Sequence, residues 1–135
     1  MQLLFIHASW ISYEVREKTK IAENLSDNEK ARQINNCLVV KTCVEKKDKE
    51  DVLKTAKKEI ITIAEKVGAK HIVLFPFAHL SPELSSPKFA IKFLKDLKKA
   101  LKADGYEVDS IPFGWIKKWA LETKGHALAV LSRRF

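Results

Sequence analysis

Hydrophobic positions recur with two periods along this chain, and they mark out two helices and a set of strands. Between Asp48 and Val67, the positions Val52, Ala56, Ile60, Ile63 and Val67 fall at helical spacing, and Gly68 stands where a left-handed residue would stop the helix. A second stripe, Ala90, Phe93, Leu94, Leu97 and Leu101, follows Ser86 as N-cap with Pro87 in the first turn, and Gly105 closes it. The strands read differently. "QLLFIH" (Gln2–His7) is mostly apolar, as expected of a strand buried on both faces. "ISYEVRE" sets Ile11, Tyr13 and Val15 against Ser12, Glu14 and Arg16, which predicts a second strand with one wet face. "KTKIAENLSDNEKARQINN" (Lys18–Asn36) is polar and low in pattern, and predicts a long, partly helical and mobile excursion. "CLVVKTCVE" (Cys37–Glu45) is the third strand, "HIVLF" (His71–Phe75) a buried strand ended by Pro76, and "YEVDSI" a fifth. "WIKKWALET", a turn at Lys124 and Gly125, and "HALAVLS" predict a final hairpin.

The resulting order, β-β-β-α-β-α-β-β-β, mixes crossover helices with hairpins. It predicts an α/β fold: a single compact domain over residues 1–135, with a mixed β-sheet and two main flanking helices. No apolar run approaches the length of a membrane span, and the opening "MQLLFIHASW" reads as a first core strand, not a leader. Cys37 and Cys43 share one face of a strand, too far apart along it to bridge each other; two free thiols suit a reducing, cytoplasmic setting. The net charge of +8 favours an anionic partner, of which nucleic acid is the commonest. Lysine enrichment equally suits a solvated helix face or adaptation to heat.

Nucleotide-binding glycine loops, GxSxG and HExxH are absent, and the histidines and cysteines lack zinc-ligand spacing, so a nucleotide-cleaving or metal-dependent enzyme has no support. Two stretches remain. In "FPFAHLSPEL" (Phe75–Leu84), His79 sits just past a buried strand, where α/β sheets commonly bind ligands; it either serves a site or bonds a backbone group at a corner. In "PFGWIKKWALETKGH" (Pro112–His126), strand alternation puts Trp115, Lys117, Trp119 and Leu121 on one side and Ile116, Lys118, Ala120 and Glu122 on the other. Lys117 is then either a partly desolvated lysine placed for chemistry or a gatekeeper on an exposed edge strand.

"HIVLFPFAHLSPELSSP", "IPFGWIKKW" and "KGHALAVLSR", in this order and spacing, resemble the archaeal threonyl-tRNA synthetase N-terminal editing domain, and the resemblance spans essentially the whole chain. It implies a D-aminoacyl-tRNA deacylase-like fold that pairs into a homodimer, and a hydrolase that clears seryl-tRNA(Thr) while sparing threonyl-tRNA(Thr). The demand is physical: a synthetic site built for threonine rejects serine poorly, whereas a second, smaller site excludes the extra methyl. The resemblance puts the catalytic lysine on Lys117 and the motif histidine on His79. It implies substrate assistance by the terminal 2′-hydroxyl of the tRNA, with no metal or cofactor. Pocket walls fall on Pro76, Phe77, Ala78, Phe113 and Gly114, with backbone around Cys43, Val44 and Glu45 touching the seryl group or adenosine. Phe113 suits adenine stacking or a plain core role. Ile116 replaces an expected aromatic and Val130 an expected acidic residue, removing a hydroxyl and a carboxylate that could orient the lysine. The implied partners are the acceptor end of tRNA(Thr) carrying serine and a synthetase catalytic body, in cis or in trans, with no membrane involved. Two other readings stay open: a non-catalytic tRNA-binding appendage and a general D-aminoacyl-tRNA deacylase.

Overall fold

The computed structural model describes all residues, 1–135. Its longest element is strand β1, Gln2–Lys18, which unites the two opening segments predicted as separate strands. The apolar phase slips between Ala8 and Trp10, where pairing to the neighbouring strand shifts register: Ile6 and Ala8 face one core, and beyond the slip Ile11 and Tyr13 face the same core. A bulge bends and twists a strand without ending it, so one continuous strand shows two patterns.

Strand β2, Ala31–Cys43, starts earlier than predicted and pairs antiparallel with β1 along almost its whole length. Its first half is polar because only Ile34 there is buried, which hides a strand inside the supposed excursion. The remaining connection holds one short 3-10 turn, Asp27–Glu29, and is not free. Thr19 and Glu23 donate their N–H groups to the carbonyls of Gly114 and Phe113, and the Trp115 indole N–H donates to the Glu23 carbonyl at 2.8 Å.

Helix α1, Val52–Val67, and helix α2, Pro87–Ala103, are the crossovers that lay β3 (His71–Pro76) parallel to β2 and β4 (Glu107–Ser110) parallel to β3. Gly68 ends α1 at φ 71°, and the Ser86 hydroxyl accepts the Phe89 N–H at 3.3 Å at the start of α2. Both helices pack on one face of the sheet, where Leu3, Phe5, Leu38, Val40, Ile72 and Leu74 meet Ile60, Ile63, Phe93, Leu97 and Leu101. Each fully buried leucine or isoleucine there contributes about 1.5–3 kcal/mol.

Strands β5 (Trp115–Thr123) and β6 (Val130–Arg134) do not form the predicted hairpin. Both pair antiparallel with β1, end to end: β6 beside Gln2–Ile6 and β5 beside Ala8–Lys18. The free edge of a strand this long exceeds what one short partner can cover, so the chain loops out over residues 124–129 and returns to the same edge. His7 pins both ends of the loop, accepting from Lys124 N–H and donating to the Ala129 carbonyl, each at 2.8 Å.

The six-stranded sheet runs β4-β3-β2-β1 with β5 and β6 sharing the last place. It curls until strands that are not neighbours touch: Arg32 on β2 reaches Asp109 on β4 at 2.8 Å, and Trp119 on β5 packs edge-on against Phe75 on β3 at 5.3 Å. The curl encloses a second core without any helix, including Ile11, Ile34, Cys37, Val39, Val73, Phe75 and Ile111. No helix is long and apolar enough to cross a membrane.

Candidate active-site cleft

A cleft of about 470 Å³ opens where β2 and β3 end, beside the turn that enters β5 and the first turns of α2. Its lining brings together Cys43, Val44, Pro76, Phe77, Ala78, His79, Phe113, Gly114 and Lys117, which the sequence places far apart. Glu45 is not among the lining residues. Its carboxylate takes the Met1 amino group at 2.8 Å and the Ser81 hydroxyl at 2.7 Å. Burial alone would raise its pKa, but these bonds and one from Gln2 outweigh that and hold it at about 2. The backbone near it is also engaged: Val44 C=O accepts from Ser85 N–H, and Glu45 N–H donates to Asp48 at 2.7 Å.

The wall after β3 is set by backbone geometry. Phe77 N–H donates to the Thr42 carbonyl at 2.8 Å, extending the β2–β3 pairing one residue past Pro76. The chain then tightens into a 3-10 turn, Ala78–Leu80, which leaves His79 exposed with its ring edge-on to Phe77 at 5.0 Å. Cys43 packs beneath this turn, its thiol 3.9 Å from the Ala78 carbonyl, and burial raises its pKa.

The opposite wall is the 112–117 turn. Gly114 adopts φ 76°, and a Cβ there would sit 2.5 Å from the Ile21 carbonyl oxygen, so both conformation and space demand glycine. Lys117 follows on β5 with its side chain directed inward. Its ammonium lies 5.8 Å from the centre of the Phe75 ring. Burial lowers its pKa, and the Glu23 carboxylate, which already accepts the Phe113 N–H at 2.7 Å, opposes that only in part. Trp115 and Trp119 line the cleft on either side of it, as strand alternation predicts, while Lys118 is exposed on the other face. Ile116 is 54% exposed yet reaches the cleft rim; Val130, equally exposed on β6, does not line it.

Sequence reasoning missed several lining residues, among them Thr19, Ile21, Pro87, Ala90 and Leu94. It also missed Lys41, which is only 6% exposed. Lys41 stands on the same face of β2 as Cys37, Val39 and Cys43, and that place in a buried alternation was the available signal. Outside the cleft, His71, Glu107 and Asp109 come within reach of one another on the β3–β4 edge, but Asp109 is already bonded to Arg32 at 2.8 Å and His71 at 2.7 Å. That arrangement closes the curl.

The architecture is shared with the c-Myc DNA unwinding element binding protein, with a TM-score of 0.73 over 100% of this chain and 99% of that one, at 11% identity. This confirms the α/β class, a mixed sheet with two helices in one compact domain. The chain belongs to the family of the archaea-specific editing domain of threonyl-tRNA synthetase, whose model matches residues 1–135. It is 44% identical to a threonine–tRNA ligase of Methanobrevibacter smithii and 45% identical to one of Methanopyrus kandleri, in each case over 98% of this chain. It spans only 22% of the length of those relatives.

Proposed function

We propose that this domain hydrolyses the ester of L-seryl-tRNA(Thr) and spares threonyl-tRNA(Thr). The observation that carries the reading is Lys117: a partly desolvated ammonium in an apolar cleft, facing the turn that holds His79. Family membership supports a proofreading role. In the proposed reaction the terminal 2′-hydroxyl orients a water, the water attacks the ester carbonyl, and Lys117 stabilises the oxyanion or positions that water. The C–O bond to the ribose 3′-oxygen then breaks, that oxygen takes up a proton, and serine and tRNA leave. His79 borders the path, and Pro76, Phe77, Ala78, Phe113 and Gly114 confine the aminoacyl-adenosine. No metal or cofactor enters this scheme.

The acceptor end of tRNA(Thr) and a threonyl-tRNA synthetase catalytic body, in cis or in trans, are the proposed partners, in the cytoplasm, with the domain itself as a homodimer. Deacylation of L-seryl-, L-threonyl- and D-seryl-tRNA(Thr) tests the reading. Hydrolysis of the L-seryl ester alone is expected. Equal turnover of D-seryl ester would make the domain a general deacylase, and tight binding without turnover a tRNA-binding appendage. Binding should weaken steeply with salt, given the charge of +8.

A further inference from the structure

Lys41 is the one lysine held in the protein's interior, and nothing in the scheme above uses it. Lysine is almost never buried without a partner, because the ammonium gives up its hydration. Burial lowers its pKa, and the ammonium makes no ion pair, although its Nζ keeps some contact with solvent. What surrounds the ammonium is aromatic. Its Nζ lies 3.9 Å from the ring centre of Trp119 and 4.1 Å from that of Phe77, with Phe75 at 5.5 Å. Both short distances fall well inside the range over which a cation is drawn to a ring face, where desolvation strengthens the attraction.

The two rings belong to elements with no backbone pairing between them. Trp119 is on β5 and Phe77 is in the turn leaving β3, and both line the cleft. They stand edge to face, with centres 6.1 Å apart and planes at 88°. Phe77 in turn supports His79, and the Phe75 ring is near both ammonium groups, 5.5 Å from that of Lys41 and 5.8 Å from that of Lys117. A cation held by both rings therefore ties the β5 wall, which carries Lys117, to the turn that carries His79.

We propose that Lys41 is a positioning residue that fixes Phe77 and Trp119 from behind the cleft and thereby sets its width, so that the methyl group distinguishing threonine from serine is refused. This rests on the editing function proposed above. Loss of the charge frees two rings on a wall where a single methyl decides the outcome, and pocket discrimination at that scale is worth about 10–200-fold.

The test replaces Lys41 with methionine, which keeps the apolar stem, and with arginine, which keeps a cation able to stack on rings. Lys41→Met should lower the ratio of seryl to threonyl ester hydrolysis by about tenfold. Lys41→Arg should lie closer to the native ratio than to that of the methionine variant. An unchanged ratio in Lys41→Met, or an arginine variant as permissive as methionine, would overturn the proposal. Trp119→Leu should also lower the ratio and make an added Lys41→Met silent; additive effects would count against a shared clamp. A readout free of catalysis separates this proposal from the functional one. Trp119 is itself 37% exposed, so in a chain keeping it but carrying Trp10→Phe and Trp115→Phe, Lys41→Met should raise its acrylamide quenching above that starting level as the ring face held by the cation is freed. Unchanged quenching refutes the clamp even if the native domain hydrolyses no ester, and increased quenching sustains it.

Discussion

The side of the sheet under α1 and α2 and the side enclosed by the curl are both buried, yet they bury different chemistry. Under the helices, nineteen aliphatic and aromatic residues pack together, and the charges that reach them are paired: the Met1 amino group meets Glu45 and Asp48, each at 2.8 Å. Inside the curl the lining is aromatic at its mouth, and the ammonium groups of Lys41 and Lys117 lie 5.5 and 5.8 Å from the Phe75 ring centre. Stability of the first face comes from area and close packing, and the charges at it are neutralised by one another. The second accepts two desolvated cations, a cost that is hard to justify by stability and easier to justify by recognition of an anionic or oxyanion-forming ligand.

Breaking the helix side should carry the largest free-energy effect. Leu97→Ala, at a fully buried position, should lower stability by about 3 kcal/mol in denaturant titration, while per-molecule ester hydrolysis under folded conditions stays near native. Lys117→Met should do the reverse: native stability, with seryl-tRNA hydrolysis slowed about a hundredfold or more. Lys118→Met, exposed on the other face, should leave the rate almost unchanged. Equal, mild losses in the two lysine variants would return Lys117 to the general basic surface. Gly114→Ala should cost about 2 kcal/mol, because the added Cβ meets the Ile21 carbonyl as well as a strained φ, and should loosen the segment over the cleft. Gly68→Ala shares the φ sign but has open space around it, so a thermal melt should show a loss of about 1 kcal/mol.

A pH-dependent effect lies beside the cleft, at an ion pair outside its lining. Glu45 titrates at about 2 in the folded domain against 4.5 for the unperturbed group. A lowered folded pKa stabilises at pH values above 4.5, and that contribution disappears as pH falls from 4.5 through 2. Glu45→Gln should therefore lower stability by about 1–2 kcal/mol at neutral pH, with the difference from native shrinking to nothing in acid. A difference that persists unchanged to pH 2 would assign the effect to packing.

Both helices were legible in their buried stripes and in the Gly68 and Ser86 caps because these signals are local, although α1 starts at Val52, four residues after Asp48, and α2 ends at Ala103, before Gly105. A 3.6-residue stripe, Ser86 before Pro87 and Gly68 after Val67 act within one or two turns, and no distant partner is needed to interpret them. The α/β class followed from their alternation with apolar strands. Strand limits were less legible, because a strand's pattern reports which face is buried, and that depends on other elements. The slip between Ala8 and Trp10 looked like a boundary, and the polar start of β2 looked like a loop. β5 and β6 looked like a hairpin because the sequence alone does not reveal that β1 is long enough to take both.

The candidate site divides in the same way. Short stretches named residues on two walls, since motif resemblance and strand alternation are properties of the chain itself, and alternation alone put Lys117 on the side of Trp115 and Trp119. That those walls face each other across one cleft was decided by the curl of the sheet, which brings the end of β3 against β5 across two intervening strands. Lys41 is legible in sequence only as a lysine in a buried alternation with Cys37, Val39 and Cys43. Its role depended on tertiary structure, where Phe77 and Trp119, from a turn and a strand far along the chain, close over its charge.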